Sequence, residues 1–229
     1  MTDVLGQAIA DYYHNKRNSK LWIHNKYGVK EEMPVGIYFR SVDEMPDMEL
    51  IALQQCDGKI LDIGAGAGSH VLLLQEKDYD ITALEISAHA AEVMKLRGVK
   101  NIIAADVFEF KEEKYDTLLM LMNGIGFCGT IEKFRLFLQH AKGLLNEGGQ
   151  IVFDSSDVAY LYDGKAMPKD NYYGEIEYQY EYRKQKSEWF RWLYIDQDTM
   201  IQTAAAEGWS AEVLTEDEFE QYLVKLTRK

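Results

Sequence analysis

The sequence predicts an α/β protein in which a mostly parallel, doubly wound sheet carries helices on both faces. Three observations lead there. The apolar run Ile60–Ile63 leads directly into glycines at 64, 66 and 68, and then into the helix-compatible residues 71–74. Strand, glycine loop and helix in that order open a βαβ unit. Apolar segments of strand length then alternate with helical patterns as far as residue 154. One of them, residues 115–122, is nearly all apolar after Asp116, which marks a strand covered on both faces in a parallel sheet.

The elements follow in order. Residues 1–55 read as a helical cap ahead of the sheet. A helix runs through Leu5, Ile9, Tyr12 and Tyr13, and a polar stretch 15–20, the apolar Leu21-Trp22-Ile23 and a loop 33–40 come after it. A second helix runs from about Pro46 to Gln55, with Asp47 and Glu49 in its first turn, where the helix dipole favours acids. The glycine loop comes next. Glycine allows a tight turn and a close approach to a ligand where a Cβ would clash. The dinucleotide fingerprint G-x-G-x-x-G needs its third glycine at position 69, which is Ser69, and no Gly-Lys-Ser/Thr of a phosphate loop follows. What remains is Asp62-x-Gly64-x-Gly66-x-Gly68. Residues 79–85 read as a second strand ending in Glu85, 17 residues after Gly68. Such folds place there a carboxylate that accepts hydrogen bonds from ribose hydroxyls. Ser87 suits an N-cap and Gly98 a C′ residue for the helix between them. Residues 101–106 form a third strand ending in Asp106, a residue equally suited to capping a helix. The fourth strand, 115–122, ends in the glycine-rich loop 123–129. Thr130 caps a helix with Phe134, Leu138, Ala141 and Leu145 at helical spacing. Gly148-Gly149 breaks that helix, and 150–154 is the fifth strand.

The pattern Asp62-x-Gly64-x-Gly66-x-Gly68 resembles motif I of the class I S-adenosylmethionine-dependent methyltransferases, and the resemblance extends over residues 59–154. It implies a seven-stranded sheet with an antiparallel last strand, S-adenosylmethionine as cofactor, and methyl transfer as the activity. Carried onto this chain, it implies cofactor contacts at Asp62, Gly64, Ala65, Gly66, Glu85, Ile86, Asp106 and Val107. The family's loop at Asn123 sits beside the sulfonium, so Asn123 joins the set as a positioning candidate. Residues ahead of motif I often cover the methionine end in this family. Tyr38 and Arg40 occupy that place, and an arginine pairs a carboxylate in two parallel hydrogen bonds. Asn123 lacks the Pro-Pro-aromatic that follows it in the branch methylating nucleic-acid amino groups. No residue stands out as a catalytic base. Two other readings stay open: a cofactor-binding protein without transferase activity, acting as a regulatory or assembly partner, and a nicotinamide oxidoreductase, which the displaced third glycine disfavours.

The segment 172–195 is the richest in aromatics. Ile176, Tyr178, Tyr180 and Tyr182 alternate with polar residues, so a half-buried strand is expected, with residues 188–195 as its hairpin partner. Inserted after the fifth strand, this hairpin suits a lid or a homodimer contact. A helix over 198–207, with Asp196 or Asp198 as cap, and strands over 209–215 and 222–227 close the chain. The whole reads as a single domain, 1–229, with the cap, the core 59–154, the inserted hairpin and the C-terminal elements 196–229.

Composition narrows the function classes. The chain has 229 residues and a net charge of −13. An acidic surface repels phosphate backbones, so no nucleic-acid partner is expected. The N-terminus lacks a basic-then-apolar leader and no long apolar run exists, so no membrane partner is expected and the location is cytoplasmic. Two cysteines without zinc-like spacing imply reduced thiols and no metal. The expected partner is a small-molecule methyl acceptor whose identity the sequence does not encode.

Overall fold

The structure is a computed structural model, and it describes residues 2–16, 19–111, 113–164 and 166–229. Arg17 and Asn18, within the expected polar stretch 15–20, lie outside the described residues. The helices are α1 (Val4–Tyr13), α2 (Asp47–Gln55), α3 (Ser69–Glu76), α4 (Ala88–Arg97), α5 (Ile131–Leu144) and α6 (Gln197–Ala206). The strands are β1 (Trp22–Asn25), β2 (Glu31–Glu32), β3 (Ile60–Ile63), β4 (Ile81–Leu84), β5 (Ile102–Ile103), β6 (Tyr115–Met120), β7 (Leu145–Ser156), β8 (Glu175–Tyr182), β9 (Gln185–Lys186), β10 (Phe190–Leu193), β11 (Trp209–Glu216) and β12 (Gln221–Arg228).

Seven strands form one mixed sheet in the order β11-β12-β7-β6-β3-β4-β5. β4–β5 and β6–β7 pair in parallel, whereas β12 runs antiparallel to both its neighbours. The expected α/β class, strand count and antiparallel last strand are therefore observed. Every residue of β3 and of β4 is buried, as expected of strands covered on both faces.

The caps also follow the sequence. Ser87, Thr130 and Asp196 each accept a hydrogen bond from a backbone N–H in the first turn of their helix, and Gly98 ends α4 in the left-handed conformation at φ 95°.

Three expectations need correction. The third strand covers only Ile102–Ile103, and Asp106 lies beyond it in a turn, where it caps no α-helix. Helix α5 ends before Gly148-Gly149. Leu145 is already extended at φ −103°, ψ 142° and pairs with Tyr115, so strand pairing takes over from the helix ahead of Gly148-Gly149. The N-terminal cap is not purely helical. Its strands β1 and β2 join the hairpin in a second sheet, ordered β10-β8-β1-β2 with β9 also on β8. Trp22 to Asn25 pair antiparallel with Glu181 to Tyr178. Four residues containing His24 and Asn25 are too short and too polar to announce a strand, and a partner some 155 positions away leaves no local trace.

The chain groups into two compact units, one of residues 1–45, 62–110 and 177–190, the other of 46–61, 111–176 and 191–229. In the first, Ile9 of α1 packs with Ala67, Ala90 and Val93, and Tyr38 and Phe39 lie against the same cluster. In the second, Tyr115, Phe134, Phe137 and Phe153 are fully buried.

Candidate active site

The first unit holds the glycine loop. Gly64 and Ala65 both donate their N–H to the Leu84 carbonyl, at 2.8 and 3.3 Å, and Gly68 donates to Ala65 at 2.8 Å. These bonds fold the loop back over the end of β4. Gly64, Gly66 and Gly68 have φ of 76°, 57° and 80°, values that L side chains rarely adopt. A Cβ on Gly66 would stand 3.1 Å from the Tyr38 ring, and one on Gly68 2.9 Å from Met94 Cγ. At Gly64 a Cβ would meet nothing, so there the backbone angle alone favours glycine.

Glu85 follows β4 and is buried. One carboxylate oxygen accepts the Gly66 N–H at 2.8 Å and the other accepts the Ser87 N–H at 2.8 Å. Burial raises its pKa above the usual glutamate range, and the N–H bonds of Ser87 and Gly66 oppose that rise. Each oxygen keeps lone-pair capacity for a further donor. The next residue, Ile86, is 71% exposed, an open apolar side chain beside a fixed carboxylate.

Asp62 lies within β3, one residue before its end, buried, and its Oδ2 has no hydrogen-bond partner among the described residues. Burial pushes its carboxyl up to about 6, against the pull of His70. Asp106 accepts the Phe108 N–H through Oδ1 at 2.9 Å, and Val107 is buried beside it. Tyr38 occupies a single turn of 3₁₀ helix, Val35–Phe39, that Arg40 terminates. The Tyr38 carbonyl accepts from the Ser69 hydroxyl at 2.9 Å, which ties that turn to the start of α3. Arg40 lies near Glu44, whose carboxyl it helps to hold low behind the stronger bonds from Ser41.

Gly66 thus bonds Glu85 directly, the Tyr38 ring stands where a Cβ on Gly66 would meet it, and Gly64, Ala65 and Ile86 adjoin them in the chain.

Several supporting residues escaped the sequence. Arg97 donates to the Ala67 carbonyl at 2.5 Å and to Ser69 Oγ at 3.3 Å, and its guanidinium lies 5.1 Å above the Phe39 ring. It ties the glycine loop to the turn bearing Tyr38. Asp3 caps α1 through Gly6 N–H at 2.9 Å and also accepts the Ser87 hydroxyl at 2.6 Å. A basic residue in the last turn of a helix reads as an ordinary dipole partner, so nothing local marks Arg97 as a loop anchor.

In the second unit, Asn123 follows β6. Met122 and Asn123 are consecutive left-handed residues at φ 64° and 54°, a conformation costing roughly 1–2 kcal/mol at each non-glycine residue. Ser156 donates its hydroxyl to Asn123 Oδ1 at 2.9 Å, and the Trp192 indole donates to the Asn123 carbonyl at 3.1 Å. Cys128, later in the same loop, is buried and burial raises its thiol well above the usual value. That suits a packing residue and not a nucleophile.

Gly66 leaves space that a Cβ would take up against Tyr38, Glu85 is an acceptor fixed by two backbone donors, and Ile86 presents an open apolar surface. These fit the ribose diol and ring of an adenosyl group. A glycine loop and a fixed carboxylate at the ends of adjacent strands of a seven-stranded sheet are the arrangement of a nucleoside-cofactor fold.

The comparisons agree. A model of the methyltransferase domain matches residues 38–212. The chain is 40% identical to an S-adenosylmethionine-dependent methyltransferase from Bacteroides fragilis, solved with S-adenosyl-L-homocysteine, with a TM-score of 0.91 over 99% of this chain and 94% of that one. An amino pentose methyltransferase from Micromonospora echinaspora matches at 15% identity and a TM-score of 0.56, covering 80% of this chain and 90% of that one. A sugar N-methyltransferase from a Streptoalloteichus species matches at 15% and 0.59, covering 90% and 97%. These two share the fold. No protein of curated function matches the sequence. The chain belongs to the class I S-adenosylmethionine-dependent methyltransferases and uses S-adenosylmethionine as cofactor.

Proposed function

We propose that this enzyme methylates a small-molecule acceptor in the cytoplasm, with its cofactor held by Asp62, Gly64, Ala65, Gly66, Glu85, Ile86, Asp106 and Val107. Tyr38 and Arg40 serve the methionine end, and Asn123 serves the reacting end. The observation that carries the reading is the Glu85 carboxylate, fixed at 2.8 Å to the Gly66 and Ser87 N–H groups. So held, it meets a cis-diol without reorganising, and preorganisation lowers the entropy lost on binding. The net charge of −13 favours a small acceptor over a phosphate backbone, and among the described residues no helix is long and apolar enough to cross a membrane.

When bound, S-adenosylmethionine supplies an electrophilic methyl group on a sulfonium. The protein's tasks are to bind, to align and to exclude water. Glu85 accepts from the ribose hydroxyls. The glycine loop lets the protein backbone come close to the cofactor, and Tyr38, tied to Ser69, covers the loop. The Asn123 amide orients the acceptor. Alignment of this kind supplies much of the acceleration in such displacements.

The test is an acceptor panel of amines, phenols, thiols and carboxylates, read by formation of S-adenosylhomocysteine. Amino sugars belong in it because two relatives of the same fold act on an amino pentose and a sugar nitrogen. Turnover with one class, abolished by Glu85→Ala, supports the reading; turnover indifferent to Glu85→Ala refutes the cofactor assignment. The aromatic hairpin is the proposed contact for a second copy of the chain, since Trp189 is 44% exposed there, and sedimentation as a monomer at micromolar concentration refutes that contact.

A further inference from the structure

We propose that Asp154 is a positioning residue for methyl transfer, holding the strained Met122–Asn123 turn through its carboxylate and releasing it on protonation. This rests on the reading that Asn123 serves the reacting end.

The turn does not hold itself. Two successive non-glycine residues in the left-handed region persist only where their surroundings impose that conformation. At Asn123 every polar backbone group is claimed. Its N–H donates to Asp154 Oδ2 at 2.8 Å. Its carbonyl accepts from the Trp192 indole at 3.1 Å and from Gly126 N–H at 3.0 Å. Its side-chain oxygen accepts from Ser156 at 2.9 Å, which turns the amide NH2 away from Ser156, where among the described residues it has no partner. Of these clamps, Asp154 is the one whose charge can change near neutrality.

The surroundings of Asp154 make that change consequential. The residue is 2% exposed and lies near the end of β7. Oδ2 takes two donors, Asn123 N–H and Gln221 Nε2, the latter at 2.6 Å, whereas Oδ1 takes none. A buried carboxylate oxygen without a donor is an uncompensated cost. The charged and titratable groups facing it from packed elements are Glu49 on α2, which adds repulsion, and Tyr222 on β12. Burial, opposed by Asn123 and Gln221, lifts its carboxyl to about 6. Above that value a carboxylate grips the Asn123 N–H by a charge-assisted bond; below it a neutral acid grips less strongly. The turn is therefore firmest on the alkaline side, and the Asn123 amide drifts as pH falls.

The experiment is an amide NMR titration of the free protein from pH 8 to pH 5, with Asp154→Asn and Asp154→Leu. The Asn123 amide proton should lie downfield at pH 8 and move upfield through one transition near pH 6. Asp154→Asn, a neutral acceptor like the protonated acid, should hold Asn123 near its wild-type low-pH place at every pH and remove the transition. Asp154→Leu should displace both the Asn123 amide and the Trp192 indole while leaving the Trp22 and Trp189 indoles in place as evidence of folding. An Asn123 amide that does not titrate in wild type, or one that titrates unchanged in Asp154→Asn, overturns the proposal even if the leucine variant fails to fold. Adding S-adenosylhomocysteine separates the two readings: absence of shifts at Gly66 and Glu85 would defeat the cofactor assignment, whatever Asn123 does.

Discussion

Asp62→Asn isolates what a buried carboxylate costs this fold. Asp62 is 2% exposed, and its Oδ2 lacks a partner. Its carboxyl sits at about 6 in the folded chain, against the ordinary aspartate value of about 3.8. The folded state thus binds this proton more tightly than the unfolded state does. Stability from the group is fully present below the unfolded value and is lost as pH rises through the folded one. The difference of roughly two units corresponds to about 3 kcal/mol, of which about 2 kcal/mol falls between pH ~4.5 and pH ~7.5. Asparagine cannot ionise, so its stability relative to wild type should rise by that amount over the same interval. Urea unfolding of both proteins without cofactor, at half-unit pH steps, measures the difference directly. A difference that stays flat, or that falls as pH rises, would refute the reasoning and point to a water or cation at Oδ2.

Further predictions concern the loops. A Cβ on Gly126 would stand 1.9 Å from the Trp192 indole nitrogen, so Gly126→Ala must displace that ring and break its bond to Asn123. A loss of about 1–3 kcal/mol is expected by thermal unfolding, and an unchanged midpoint would contradict the packing. Arg97→Met removes the donor to the Ala67 carbonyl and Ser69; weaker S-adenosylhomocysteine binding with little change in far-UV circular dichroism is expected, and unchanged affinity would detach Arg97 from the loop. Cys56 and Cys128 are both buried, so neither should react with a thiol reagent before unfolding. Glu85 must be charged to accept from two hydroxyls and its pKa is raised by burial, so cofactor affinity should weaken on acidification sooner than for an ordinary glutamate. Glu85→Gln should remove that acid limb in calorimetric titrations.

The sheet was legible because its signals are local. Glycine loop, apolar run and cap recur in the sequence near their structural places: Ser87, Thr130, Asp196 and Gly98 all act as the residue types suggest. The residues of the proposed cofactor set are local in the same sense, as Glu85 and the glycines follow their strands directly. What failed to show depends on distant partners. β1 becomes a strand only because β8 offers it an edge. Asp154 looked like the last residue of an apolar strand, and only the fold reveals that it carries the backbone of Asn123, 31 positions earlier. Helix α5 was read too long because Leu145 fits its periodicity, whereas pairing with Tyr115 ends the helix. Periodicity reports what a segment prefers, and ladder pairing overrides it wherever a neighbouring edge is open.

The most direct test is calorimetric titration of S-adenosylhomocysteine into wild type, Glu85→Ala and Gly66→Val. Glu85→Ala removes the fixed acceptor, and Gly66→Val puts a branched side chain against Tyr38 at φ 57°. Binding to wild type at micromolar strength, weakened at least tenfold by each substitution in proteins that still fold, is the predicted result. Equal affinity in all three would contradict the assignment of the cofactor to this loop.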